Sequence, residues 1–164
     1  RQPADWRRAM NATTSLPAIE EILPHRGTMR LLDRLLTFDA EGVCAEYTPR
    51  SDAWYANSDG DMPAWIGIEM MAQAIAAEVG LRKLGAGALP KPGVVLGTRR
   101  YAARRPVFAG GEALRVHAAL LYRDAGGLAA YACRIVQGTE EVASATLTVF
   151  EPDDFPTFLQ ASLS

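Results

Sequence analysis

The 164-residue chain is 49% hydrophobic, enough for one compact domain with a core; residues 16–152 are read as that domain, between an N-terminal extension 1–15, expected to be disordered or expression-derived, and a C-terminal tail 153–164. Its 17 basic and 19 acidic residues leave a net charge of −2, which excludes any global electrostatic reason to bind nucleic acid or an anionic membrane. No apolar stretch reaches spanning length free of charges, no apolar signal core opens the chain, and Cys44 and Cys133 lack CxxC or histidine-rich neighbours, so a soluble cytoplasmic protein with buried free thiols and no metal is expected.

In chain order, the first strand candidates are Met29–Phe38 and Val43–Thr48, joined by Asp39-Ala40-Glu41-Gly42, which has the residues of a hairpin turn. A long helix follows over Met62–Leu84, where Ile68, Met71, Ile75 and Val79 recur at helical spacing, Pro63 occupies the first turn and Gly85 lies just past the end. The Gly/Pro-rich stretch 85–93 reads as a loop inside the domain. Four strands come next, Val94–Tyr101, Ala113–Tyr122, Leu128–Gln137 and Glu141–Phe150; Leu114, Val116, Ala118, Leu120 and Tyr122 alternate as one face of a sheet. Two strands, a helix and four strands predict an α+β domain in which an antiparallel sheet buries one face against one helix. The free edges of such a sheet invite pairing with a second chain, so a dimer is expected.

Three segments resemble the beta-hydroxyacyl-carrier-protein dehydratases, across most of Ile19–Phe150. Ile19 through Leu-Pro-His-Arg at 23–26 and on to Leu35 is similar to the family's opening helix, turn and first strand. Met62-Pro63-Ala64-Trp65-Ile66-Gly67-Ile68-Glu69-Met70-Met71-Ala72-Gln73 resembles the start of its central helix, with the family's acidic residue on Glu69 and its glutamine on Gln73. Leu96-Gly97 and Arg105-Pro106-Val107-Phe108-Ala109-Gly110-Gly111-Glu112 are like its third strand, bulge and following turn. The resemblance implies the hotdog fold, a sheet of about six strands wrapped around one long helix, with its sites at a dimer interface. The family carries its histidine in a Gly-His-Phe-Pro loop before the helix; here that stretch runs from Trp54 to Asp61 without histidine, and an ungapped count places Tyr55 in the slot. A retained Met-Pro-Ala-Trp-Ile-Gly-Ile-Glu run without that histidine is closest to the dehydratase-like branch of aryl polyene pigment clusters.

Removing water from a 3-hydroxyacyl thioester needs a base for the α-proton, an acid for the leaving hydroxyl and donors for the thioester oxygen. By the resemblance Glu69 is the acid, Gln73 orients it, and backbone N–H groups around Ala64 and Trp65 receive the oxygen. Burial between Ile68 and Met70 is expected to desolvate Glu69. His25 is a candidate substitute base, and Tyr55 a hydrogen-bond donor to the substrate, its phenol being too weakly acidic for a base. His117 reads as structural. Arg99, Arg100, Arg104 and Arg105, with Arg34 as a possible addition, form the local basic cluster and suit an acidic acyl carrier protein or pantetheine phosphate. Without stacking aromatics interleaved among them, nucleic acid is a poor fit, and no glycine-rich phosphate cradle calls for a nucleotide cofactor. The expected function is a dehydratase, or a subunit of one, acting on acyl carrier protein thioesters as a homodimer or with a histidine-bearing paralogue. A hotdog thioesterase relying on Glu69, or a non-catalytic acyl-binding subunit, are the alternatives.

Overall fold

The structure is a computed structural model that describes residues 15–89 and 91–163. The expectation for residues 1–15 therefore lies, but for Ser15, outside the described residues. A short helix α1 (Ile19–Ile22) leads through a 3-10 turn (Gly27–Met29) to strands β1 (Arg34–Phe38) and β2 (Gly42–Tyr47). After β3 (Met62–Pro63) and a 3-10 turn at Ala64–Ile66 comes the long helix α2 (Gly67–Gly85). Strands β4 (Val94–Ala103), β5 (Val107–Phe108), β6 (Leu114–Arg123), β7 (Leu128–Gln137) and β8 (Glu140–Phe150) follow, and α3 (Phe155–Ser162) closes the chain.

The six long strands form one antiparallel sheet in the order β1-β2-β6-β7-β8-β4, while β3 pairs with β5 apart from it. Alternation explains which face meets the helix: Leu114, Val116 and Ala118 of β6 are buried, and Arg115 and His117 between them point the other way. The matching inward rows of β2 and β7, including Val43, Ala45, Tyr131 and Ile135, join Met70, Met71, Ala74 and Ala77 of α2 in one core. Segment 64–85 is long and apolar enough to cross a bilayer by composition, but here it is the core helix, two-thirds buried. Both thiols are free and buried; burial pushes that of Cys133 up to about 12.

Several expected boundaries move, each for a backbone reason. The α-helix starts at Gly67 rather than Met62, because Met62 and Pro63 pair as strand with Phe108 and Val107 and the Ala64 N–H donates to the Pro106 carbonyl at 2.9 Å. The first strand starts at Arg34 rather than Met29, since Arg30 donates its N–H to Gly27 and closes a turn instead. A bulge between Leu120 and Tyr122 ends the predicted alternation of β6 and leaves Tyr122 exposed. The hairpin turn at Asp39 forms as expected, with the Asp39 carboxylate accepting from the N–H groups of Glu41 and Gly42. The segment after Phe150 is more than a tail: Asp154 caps α3 through Thr157, and Phe158 packs its ring on Phe150.

Deep in the far half of α2, Glu78 is fully buried. It accepts from the Tyr131 hydroxyl at 2.6 Å and from Arg82, with Arg123 3.5 Å away. Burial and then the Glu78 charge push the Tyr131 phenol far above its usual range, which keeps it a donor. This polar cluster fastens α2 to β6 and β7, and so fixes where the helix's first turn lies.

Candidate active site

The Leu-Pro-His-Arg segment forms a tight corner. Helix α1 buries Ile19 and Ile22 against α2, and Gly80 is required there because a Cβ would sit 2.9 Å from Ile22 Cγ2. Leu23 is extended before Pro24, as the proline ring demands, and the chain leaves the helix. The Arg26 guanidinium then donates back to the carbonyls of Leu23 and His25, folding the corner over the first turns of α2. His25 is thereby delivered to Glu69, with His25 Nε2 3.6 Å from Glu69 Oε1.

Gln73, one helical turn after Glu69 and fully buried, organises the rest. Its Oε1 accepts from the Leu31 N–H at 2.8 Å, and its Nε2 donates to the Met29 carbonyl at 2.7 Å and to Glu69 Oε1 at 3.1 Å. One side chain thus pins the loop before β1 to the helix and orients the carboxylate. Glu69 lies in the first turn of α2, where the helix dipole favours negative charge. It is not buried as expected: its side chain is 49% exposed in the single chain, that of His25 28%. On the segments joined to it, Met29, whose carbonyl holds Gln73, Trp54, whose indole N–H donates to the Thr28 carbonyl, and Trp65, four residues before it, are each more than half exposed. Three large apolar side chains in the open beside a carboxylate are a surface suited to being covered.

The other expected site residues separate. Ala64 cannot offer its N–H to a thioester oxygen, because that group is bonded to Pro106; Trp65, in the first turn of the 3-10 helix, is the remaining backbone donor. The Tyr55 hydroxyl is already engaged within the chain. Tyr55 is buried, its hydroxyl 2.6 Å from that of Tyr47 and accepting from the Arg50 N–H at 3.0 Å, so it locks the loop in which the family's histidine would stand. Of the arginines, Arg105 is paired with Glu140, whereas among the described residues Arg99, Arg100 and Arg104 enter no ion pair and are exposed on and just beyond β4. Arg34 pairs with Glu46 on β2, away from β4 in strand order. His117 sits on the outer sheet face, 3.7 Å from Cys44 Sγ; burial first, then Arg134 and Arg115, hold its pKa down.

Tyr101 was not expected. A bulge in β4 between Arg99 and Ala102, with Arg100 in the left-handed region at φ 55°, turns its hydroxyl onto the Ala64 carbonyl. Its signal in the sequence, a lone aromatic residue among arginines, was masked by the charges on both sides. A cleft of about 620 Å³ lies between Thr48–Asp52, Asp59, Gly60 and Gly110-Gly111, and none of His25, Glu69 or Gln73 lines it. Glu69 therefore opens onto the chain's surface, not into that cleft.

The ApeP-like family, described as ApeP dehydratase, matches residues 17–160. The dehydratase heterocomplex ApeI:P from Xenorhabdus doucetiae contains a chain that superposes with a TM-score of 0.83 at 25% identity, covering 91% of this chain and 99% of that one. Zebra fish thioesterase superfamily member 2 superposes at 0.62 with 13% identity, covering 81% and 92%. A hypothetical thioesterase with coenzyme A from Streptococcus pneumoniae gives 0.56 at 13% identity, covering 72% and 84%. The two thioesterases share the fold only. No curated protein matches the sequence.

Proposed function

The chain belongs to the ApeP-like dehydratase family, and from that premise we propose that it is the glutamate-bearing subunit of a hotdog dehydratase acting on 3-hydroxyacyl groups carried by an acyl carrier protein. Its site would be completed by a paralogue that brings the histidine this loop lacks. The observation that carries the reading is the open, oriented carboxylate: Glu69 is held by Gln73 and half exposed, and Met29, Trp54 and Trp65 on the segments joined to it are exposed as well. The likeness to a chain of the ApeI:P heterocomplex supports a partner of the same fold. In the assembled site a base removes the α-proton, the Cα–H pair becomes the double bond, and Glu69 gives its proton to the β-oxygen, which departs as water. The Trp65 N–H, in the first turn of the 3-10 helix, would donate to the thioester oxygen. The exposed Arg99, Arg100 and Arg104 flank Tyr101, which touches Ala64 at the head of α2, so an acidic carrier protein docked there would present its acyl arm next to Glu69.

Incubating a 3-hydroxyacyl carrier-protein thioester with the purified chain, the paralogue and their mixture, and following product mass, tests this. The chain alone should turn over weakly and the mixture fast, with Glu69→Gln lowering the mixture's rate by about 100-fold or more. Full dehydration by the chain alone would remove the partner requirement. Release of free thiol dependent on Glu69 would assign thioester hydrolysis instead.

A further inference from the structure

We propose that His25 is not the missing base but a neutral hydrogen-bond donor that positions Glu69, leaving Oε2 of Glu69 as the oxygen that hands a proton to the substrate; this rests on the dehydratase reading above. The argument starts at Gln73, whose amide cannot be turned over. Its oxygen must face the Leu31 N–H and its nitrogen the Met29 carbonyl, because the opposite orientation would set donor against donor and acceptor against acceptor. The nitrogen is therefore the atom 3.1 Å from Glu69 Oε1, and it donates.

His25 approaches the same Oε1 through Nε2. Its other nitrogen, Nδ1, is buried with no hydrogen-bond partner among the described residues. With the proton on Nδ1, an N–H would be buried unpaired and the Nε2 lone pair would face a carboxylate oxygen. With the proton on Nε2, the N–H points at that oxygen and only a bare nitrogen is buried. Both considerations select the Nε2–H tautomer, and a nitrogen that already holds a proton cannot accept one. At 3.6 Å the contact is longer than a formed hydrogen bond, and it shortens when the site is covered.

Two donors thus converge on Oε1, and among the described residues neither is directed at Oε2. In the protonated acid the proton sits on Oε2; it passes to the β-hydroxyl as the carbon–oxygen bond breaks, water carries away the bonding pair, and the α-proton goes to the partner's base. Glu69 regains its proton from that base through solvent before the next turnover.

Glutamine reaches about as far as Nε2 and carries N–H donors, yet cannot exchange a proton near neutral pH, whereas leucine removes the donor. In the chain–paralogue mixture with a 3-hydroxyacyl carrier-protein thioester, His25→Leu should lower kcat about tenfold or more with KM little changed. His25→Gln should stay within about threefold of the parent. Equal loss in both variants, or none in either, overturns the proposal. Glu69→Gln is run in parallel: if it is inactive while His25→Gln loses as much activity as His25→Leu, the positioning role falls and the dehydratase reading stands. A parent mixture without turnover, or full activity of Glu69→Gln, brings down both. Nitrogen-15 imidazole spectra of the unsubstituted chain, independent of how the variants fold, should show protonated Nε2 and bare Nδ1 for His25; the opposite tautomer overturns the proposal.

Discussion

Glu69 and Gln73 were both legible as a pair one turn apart, but their surroundings were not. Ile68 and Met70 suggest a buried Glu69, yet adjacent helix residues are about 100° apart around the axis, so apolar neighbours in sequence lie on other faces. Met70 indeed points into the core while Glu69 faces out. Gln73 is the reverse, a polar residue with no exposed surface whose oxygen and both amide protons are bonded. Gln73→Leu removes these partners, leaving the buried Leu31 N–H unpaired at about 1–3 kcal/mol and the part-buried Met29 carbonyl without its donor at about 1 kcal/mol. Urea unfolding of that variant should show a loss of about 2–4 kcal/mol; unchanged stability would mean that the loop before β1 is held by other contacts.

Among the elements, the head of α2 is set by a crowded junction. Gly67 lies where a Cβ would meet the Tyr101 hydroxyl at 2.5 Å and Ile135 Cδ1 at 3.0 Å. Tyr101 is there because β4 bulges at Arg100, and burial pushes its phenol up to about 12, keeping it a donor to the Ala64 carbonyl. Gly67→Ala should therefore lower stability by about 1–3 kcal/mol, as overpacked sites do. Adding Tyr101→Phe, which removes the nearest atom, should recover part of it in thermal melts. Additive losses in the double variant would show that the two positions do not press on each other. The helix itself was readable from its period. Its start was not, because Pro63 suits a first helical turn and an extended segment alike, and pairing with Val107 and Phe108, some forty residues on, made it strand.

For the whole molecule, β1 and β4 are the edges of the sheet, and β4 is long, unpaired on one side and carries exposed Val95 and Leu96. Such an edge is a template for a second chain. We expect assembly through β4, bringing a partner's loop toward Met29, Trp54, Trp65 and Glu69. Introducing charge with Val95→Lys and Leu96→Glu should weaken association, with itself or with the paralogue, by about tenfold or more in sedimentation experiments. Undiminished association would place the interface elsewhere. The number and order of the main strands were visible as alternating runs between turn residues; which of them end up at the rim was not, since strand order in a sheet is a property of non-local pairing.

By itself the sequence determined the two periodicities, the sequential order of strands and central helix, the Glu69–Gln73 spacing and the absence of a histidine from the loop at 54–61, because each follows from residue identity and the fixed geometry of helix and strand. Only the tertiary structure decided that Glu69 opens outward, that His25 arrives beside it with one nitrogen buried, that Tyr55 closes the loop and that the Ala64 N–H is already committed. These depend on which buried donors and acceptors find each other across distant segments, and that pairing is settled when the core packs, not by any local run of residues.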